Sequence, residues 1–258
     1  MILIVNKMYP PEIGGVEIVA KTIAEVLSEK GCNVTVLTFN KENKLKNERI
    51  GNVEVLRVPS ILVKDSIRIS LAYRKEFKKL ASDAQSVVFN FPSGLPELFS
   101  SFYKRLNAKK ICFYHADIVN RGFLGWCYNN FVVRRFLEIM DVIITTSPNM
   151  AESSKYLKDF KGKIKVIPLF VDISHFYPRH SEKRREILSK FSDKAEKIVL
   201  YIGRLSWYKG LQYLVSSMKL LDERYVLVIV GEGAMKEKLL DITKKNHLED
   251  RVLFEKHV

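Results

Sequence analysis

Short apolar runs alternate along this chain with longer stretches in which apolar residues recur every three or four positions. Ile2-Leu-Ile-Val5 is a buried-strand pattern that stops at Asn6. From Val16 to Lys30, the residues Ile18, Val19, Ile23, Val26 and Leu27 fall at helical spacing, and Gly31 follows where helices commonly end in glycine. Val34 to Phe39 is again β-rich. A strand-loop-helix-strand unit of this kind is the seed of a parallel sheet with right-handed crossovers. The polar stretch Asn40 to Asn52 reads as a loop, and Val53 to Val58 as a half-exposed strand. Residues 67–81 read as a basic helix. Val87–Phe91, Lys110–Tyr114, Val142–Thr146 and Lys165–Ile167 read as strands, with helices over 123–140 and 148–157. The aromatic residues from Phe123 to Phe136 are expected to pack in the core.

Strands alternating with helices predict an α/β fold of the doubly wound kind. The rhythm breaks where Pro168 and Pro178 bracket Val171–Phe176 and a charge-rich stretch, 179–197, follows. A second βαβ unit then starts: strand 198–202, helix 210–221, strand 225–230, helix 235–246 and strand 251–254. The expected division is an N-terminal Rossmann-like domain over 1–170, a linker region over 171–197 and the first part of a second Rossmann-like domain over 198–258.

Composition adds one unusual feature. The formal net charge is +14; Lys and Arg exceed Asp and Glu by 10 in residues 1–170 and by 4 in the remainder. An anionic partner is expected for the first part, with residues 68–79 as a candidate patch for an anionic membrane surface. The three cysteines are widely spaced and form no Cys-x-x-Cys pair, as for reduced thiols in a cytoplasmic protein. Met1–Val5 meets Asn6-Lys7 too soon for a signal-peptide core. No helix-turn-helix, RNA-recognition or single-strand-stacking signature accompanies the basic residues, so nucleic acid is not an expected partner.

The candidate chemistry sits at strand ends. Gly203-Arg-Leu-Ser-Trp-Tyr-Lys-Gly210 follows an apolar run and precedes a helix. Arg204 offers a planar fork for two oxygens and Lys209 a compact charge, a pairing suited to a nucleotide diphosphate. The spacing is not that of a P-loop, and the chain has no Asp-x-Asp, which argues against a metal-bridged diphosphate. Gly14-Gly15, between the first strand and its helix, allows a phosphate or sugar to approach the backbone. The loop lacks the Gly-x-Gly-x-x-Gly dinucleotide fingerprint, which disfavours a nicotinamide enzyme. His115 and Asp117 lie just past a strand's carboxyl end, where open α/β sheets bind ligands. From position alone, His115 either meets a sugar hydroxyl or phosphate oxygen or caps a local carbonyl. The histidines His175, His180, His247 and His257 show no metal-ligand spacing.

Taken in order, Tyr9-Pro-Pro-x-x-Gly-Gly-Val-Glu17, Ile167-Pro-x-x-Val-Asp-x-x-x-Phe-x-Pro178, Gly203-Arg-Leu-x-x-x-Lys-Gly210 and Val230-Gly-Glu-Gly233 with Arg251-Val-x-Phe254 resemble the family-4 retaining glycosyltransferases of the GT-B fold. The stretch from Phe113 through Asn149 is similar to members that build O-antigen or other surface polysaccharides. The resemblance implies two Rossmann-like domains and transfer of a hexose, with retention of configuration, from a UDP- or GDP-sugar to a glycan or lipid-linked acceptor. It assigns donor binding to Gly14, Gly15, Arg204, Lys209, Gly231 and Glu232, and a catalytic position to His115. Asp117 becomes an acceptor-side candidate, and no metal cofactor is implied. Location at the inner face of the cell membrane is the corresponding expectation. The family's Glu-x7-Glu motif lies further along than Val258, so a C-terminally truncated chain of impaired activity is expected. The alternative is a non-catalytic fragment or partner subunit completed by another chain.

Overall fold

A computed structural model describes residues 1–12, 14–64, 67–99, 103–118, 122–171 and 182–255. Contacts divide the chain into two compact units, Met1–Val171 and Asp172–Val258. Of the stretch read as a linker, residues 172–181 lie outside the described residues, as do most of the motif ending at Pro178 and the residues His175, His180 and His257.

The first unit is built on an eight-stranded sheet. Its strands are β1 (Ile2–Val5), β2 (Val34–Asn40), β3 (Lys46–Ile50), β4 (Val53–Pro59), β7 (Ser86–Phe91), β8 (Lys109–Tyr114), β9 (Val142–Thr145) and β10 (Ile164–Val166). Their order is β10-β9-β8-β7-β1-β2-β4-β3, and only β3 runs antiparallel to its neighbour. Two short strands, β5 (Ile61–Lys64) and β6 (Ile67–Ile69), pair separately. Because successive strand residues point to opposite faces, continuous apolar runs feed two cores at once. Leu3, Val5, Phe39, Phe89 and Phe91 pack with Tyr73, Phe77, Phe136 and Leu137 on one face. Ile4, Val36, Val55 and Val88 pack with Ala20 and Ala24 on the other. Helix α1 (Gly15–Glu29) therefore covers the second face, while α2 (Tyr73–Ala81) covers the first. Gly31, at φ 82°, closes α1 in the left-handed conformation glycine allows.

Three readings of the pattern need correction. The polar stretch 40–52 contains strand β3, held on β4 by ladder pairs and by Arg57, whose Nε donates to Glu48 Oε1 at 2.5 Å. Residues 67–81 are not one helix: β6 precedes α2, and Arg68 is buried, donating to Ser60 Oγ at 3.1 Å. It is therefore unavailable to a membrane, whereas Arg74, Lys75, Lys78 and Lys79 are exposed. The aromatic helix is divided. After α3 (Leu95–Leu98) come α4 (Phe123–Cys127), a π-helical segment Tyr128–Val133 and α5 (Arg134–Glu138). Phe136 is buried, but Phe123, Trp126 and Phe131 are 76%, 55% and 64% exposed. The wider π turn rotates the inward-facing stripe, so Phe123 and Trp126 before it and Phe131 within it miss the core that Val133, Phe136 and Leu137 enter. Helix α6 (Pro148–Ser153) follows, its amide at Met150 capped by Ser147 Oγ.

The second unit contains α7 (Glu182–Leu188) and a parallel three-stranded sheet, β11 (Lys197–Ile202), β12 (Tyr225–Val230) and β13 (Val252–Glu255), in that order. Helices α8 (Leu211–Ser217) and α9 (Lys236–Lys245) cover one face through Leu211, Val215, Leu239, Leu227 and Ile229. Leu200 and Ile202 of the edge strand β11 are exposed.

Candidate functional site

In the second unit, two loops at the carboxyl ends of β11 and β12 are laced together. The Gly203 amide donates to Val230 O, the Leu205 amide to Glu232 O and the Met235 amide to Leu205 O, at 2.9–3.0 Å. Leu205 is fully buried between them and anchors the lacing. This crossing requires glycine: Gly203, Gly231 and Gly233 have φ of 152°, 143° and 158°. A Cβ on Gly231 would collide with Gly203 O, and one on Gly233 with Leu205 O.

The lacing puts Arg204 on the same rim as Gly231 and Glu232. Arg204 is exposed and, among the described residues, has no hydrogen-bond or ion-pair partner through its side chain. Tyr201 Oη instead donates to the Arg204 carbonyl at 3.0 Å, which fixes the backbone and leaves the guanidinium outward. Lys209 ends a 3-10 turn, Trp207–Lys209, before Gly210 at φ 72°; its ammonium lies 5.3 Å from the Tyr208 ring centroid and meets no carboxylate among the described residues. Glu232 is engaged with Lys236 at 3.3 Å. Among the described residues, the expected Arg204 and Lys209 are thus cations without counter-ions, as a site for an external anion requires.

In the first unit, β1 hands the chain through the Tyr9-Pro10-Pro11 loop to Gly14, the N-cap of α1. Arg57, 4% exposed, clamps that loop: it donates to Tyr9 O at 3.1 Å, to Pro10 O, and to Glu12 Oε2 at 3.3 Å. Sequence reading overlooked Arg57 because its partners lie far away along the chain. The Gly14 Cα faces the Glu17 carboxylate, while nothing lies within 4 Å of where a Gly15 Cβ would stand. No packing within the described residues calls for glycine at 15, and the first-turn amides of α1 have no intrahelical acceptors.

His115 follows β8. Its amide donates to Phe91 O at 3.0 Å, its ring stacks on Phe113 at 4.8 Å, and Nε2 lies 2.9 Å from Asn90 Oδ1. Burial pushes the imidazole down to about 4, so the ring is neutral at pH 7. Asn90 is the register partner of Phe113 and shares the sheet face of Val88. His115 therefore lies on the α1 face of the sheet, on the same layer as Gly14 and Gly15. Asp117 is tied elsewhere: its Oδ1 accepts from Tyr114 Oη at 2.8 Å and Ser154 Oγ at 2.7 Å, which braces the turn after β8.

The ends of β1 and β7, and α3 after β7, carry buried polar groups that the sequence reading missed. Asn6, Asn90 and Glu97 are each 1% exposed. Glu97 Oε1 accepts the Ser93 amide at 2.6 Å, its Oε2 has no partner among the described residues, and burial pushes the carboxyl up to about 7. The available signal was polar Asn directly at the end of a buried apolar run, at Asn6 after Ile2–Val5 and at Asn90 after Val87–Phe89.

Comparison with known proteins gives this geometry a family. Residues 13–175 match Glycosyltransferase Family 4, and residues 182–258 match Glycosyl transferases group 1. The chain is 30% identical over 228 residues to the D-rhamnosyltransferase WbpZ of Pseudomonas aeruginosa, covering 88% of this chain and 58% of that protein. It is 27% identical over 234 residues to the O-antigen chain mannosyltransferase C of Escherichia coli, covering 90% and 60%. The chain thus spans about three-fifths of the length of these relatives. Among solved structures, Anabaena Alr3699/HepE in complex with UDP and glucose matches with a TM-score of 0.71 at 17% identity, over 100% of this chain and 69% of that one. Its fold is the GT-B glycosyltransferase fold, of which both units here carry the Rossmann-like pattern. With its family match extending over most of the first unit and a second match over the remainder, the chain belongs to glycosyltransferase family 4.

Proposed function

We propose that this chain acts in hexosyl transfer, with retention of configuration, from a UDP- or GDP-sugar to a glycan or lipid-linked acceptor in surface polysaccharide synthesis. The observation that carries the reading is the laced rim of the second unit, where Arg204 stands beside Gly231 and Glu232 and, among the described residues, neither it nor Lys209 meets a counter-ion. Charge grows on the departing diphosphate as the glycosidic bond breaks. Cations held ready at that point lower the barrier more than they tighten the ground state. Gly14 and Gly15 would admit the diphosphate or donor sugar to the first turn of α1. The neutral imidazole of His115 suits hydrogen bonding to a sugar hydroxyl, and the second oxygen of Asp117 is left for the acceptor. The names of the rhamnosyl- and mannosyltransferase relatives support a hexose and an O-antigen-type product, and the UDP held by the similar Anabaena protein supports a nucleotide-sugar donor.

The acceptor is proposed to be met at an anionic membrane surface through α2, whose Arg74, Lys75, Lys78 and Lys79 are exposed beside Leu71, 98% exposed. Among the described residues no helix is long and apolar enough to cross a membrane. The decisive experiment is a transfer assay with a panel of UDP- and GDP-hexoses and lipid-linked oligosaccharides. An α-configured product from an α-linked donor supports the reading. No donor bound and none consumed would end it. A second reading, a partner subunit completed by another chain, is favoured by the exposed Leu200 and Ile202 of β11. A monomer by light scattering that turns over donor disposes of it.

A further inference from the structure

The ends of three adjacent strands carry an aligned series of polar groups. Strands β1 and β7 run parallel with Val5 against Phe89, so Asn6 and Asn90 form the next register pair and point to one face. Strand β8 sets Phe113 against Asn90, and His115 stacks on Phe113 from the same face. Asn6 has a fixed polarity, because its Nδ2 donates to Met8 O at 2.6 Å and its Oδ1 must therefore face inward. That Oδ1 is a buried acceptor with no partner among the described residues, and the neighbouring Asn90 Nδ2 is a buried donor with none. The two are not hydrogen-bonded to each other, and one water accepting from Asn90 Nδ2 and donating to Asn6 Oδ1 would satisfy both. Asn90 then presents Oδ1 to His115 Nε2, 2.9 Å away, and the imidazole must donate from that nitrogen.

We infer that Asn6 and Asn90 form an amide relay that holds His115 in the Nε2–H tautomer, so that its bare Nδ1 accepts a hydrogen bond from a substrate hydroxyl. The reverse orientation of Asn90 would turn its Oδ1 to the side of Asn6 Oδ1, leaving two buried carbonyl oxygens there with no donor from the described residues for either. Ser93 reinforces the arrangement by donating its hydroxyl to Asn90 O, while Glu97 Oε1 holds the Ser93 amide. Asn6 and Asn90 are positioning residues: they touch no substrate and act through the ring they orient. The ligand group this selects at Nδ1 is a hydroxyl that donates, as on a pyranose; a carbonyl or phosphate oxygen, which has no proton to give, is rejected. The inference rests on His115 facing the transferred sugar only for the identity of that hydroxyl. The tautomer itself is independent of turnover.

The test is long-range 1H–15N correlation on the 258-residue chain labelled with 15N-histidine, at pH 7.5, with the His115 signals identified by their loss in His115→Gln. The expected result is a tenfold or greater excess of the Nε2–H form, the order that one unsatisfied buried group imposes. Asn90→Asp, whose carboxylate also accepts from Nε2–H, should keep that pattern. Asn6→Leu, which frees Asn90 to turn over, should mix the two tautomers. An Nδ1–H ring or an averaged mixture in the unmodified chain overturns the inference, whether or not either variant folds. A folded Asn6→Leu that keeps the pure Nε2–H form removes Asn6 from the relay. Because no donor is added and no transfer is read, failure here is separate from failure of the proposed activity.

Discussion

Gly231 passes Gly203 so closely that a methyl group on Gly231 would overlap the Gly203 carbonyl oxygen. The crossing joins the ends of β11 and β12 and holds Arg204 outward, so it is a structural precondition of the proposed phosphate site. Gly231→Ala should destabilise the second unit by more than ~1 kcal/mol, since both the positive φ and the collision oppose it. Gly15→Ala should leave the melting temperature within a few degrees, because open space surrounds that position, and should instead weaken sugar-nucleotide binding. Thermal melts with and without UDP-sugar separate the two outcomes; a stable Gly231→Ala would contradict the crossing.

Arg204→Ala and Lys209→Ala remove cations that no carboxylate engages among the described residues. Each should cost roughly ten- to a hundredfold in UDP or GDP affinity, the range of a hydrogen bond to a charged group, with no loss of unfolding free energy. Calorimetric titration with UDP and with uridine checks the assignment. If uridine affinity falls as much as UDP affinity, these residues do not contact phosphate.

Arg57 is buried with Glu48 at 2.5 Å and Glu12 at 3.3 Å and holds two carbonyls of the Tyr9-Pro10-Pro11 loop. Arg57→Met strands two partly buried carboxylates and should destabilise the first unit by about 3 kcal/mol. Urea denaturation measures this. Hydrogen exchange at residues 14–18 should rise with it, because the loop that sets the start of α1 loses its clamp.

His115 and Glu97 should give stability opposite pH dependences. Burial lowers His115 to about 4 from 6.5, so between those values the unfolded chain binds the extra proton and stability rises with pH. Burial raises Glu97 to about 7 from 4.5, so there the native state holds the extra proton and stability falls as pH rises. The two slopes oppose each other between pH 4.5 and 6.5. Glu97→Gln should expose the rising slope and His115→Gln the falling one, in urea midpoints measured across pH 4–7.5. Matching slopes in both variants would refute the assignment.

Donor transfer is expected to persist after treatment with EDTA, because Arg204 and Lys209 supply charge that a bridging metal would otherwise bring. An activity lost to EDTA and restored by Mn2+ or Mg2+ would refute metal independence.

Much of this protein is written locally. The helical spacing of Ile18, Ile23 and Leu27 and the stop at Gly31 gave α1 to within a residue, because a helix is set by neighbours three and four positions apart. Apolar runs at Ile2, Val87 and Tyr225 likewise marked strands buried on both faces, whereas the run at Ile198 marked an edge strand whose Leu200 and Ile202 are exposed. His115, Arg204, Gly231 and Glu232 fall just past strand ends in the structure, as the apolar runs before them indicate, while Gly14 and Gly15 begin α1 and Lys209 ends a 3-10 turn.

Tertiary structure decided what depended on distant partners. Polar Lys46–Ile50 became a strand because β4 pairs with it and Arg57 reaches Glu48, an arrangement no local period encodes. Arg68 looked like a surface cation until Ser60 and Asn40 enclosed it. Phe123, Trp126 and Phe131 turned outward because a π segment shifted the helix phase. Asn6 and Asn90 lie far apart in sequence and acquire their meaning only where β1, β7 and β8 lie side by side. Sequence alone determined the elements and the chemical types at their ends, since both follow from local covalent spacing. Pairing across strands decided which polar atoms face one another, and so which nitrogen of His115 is left bare.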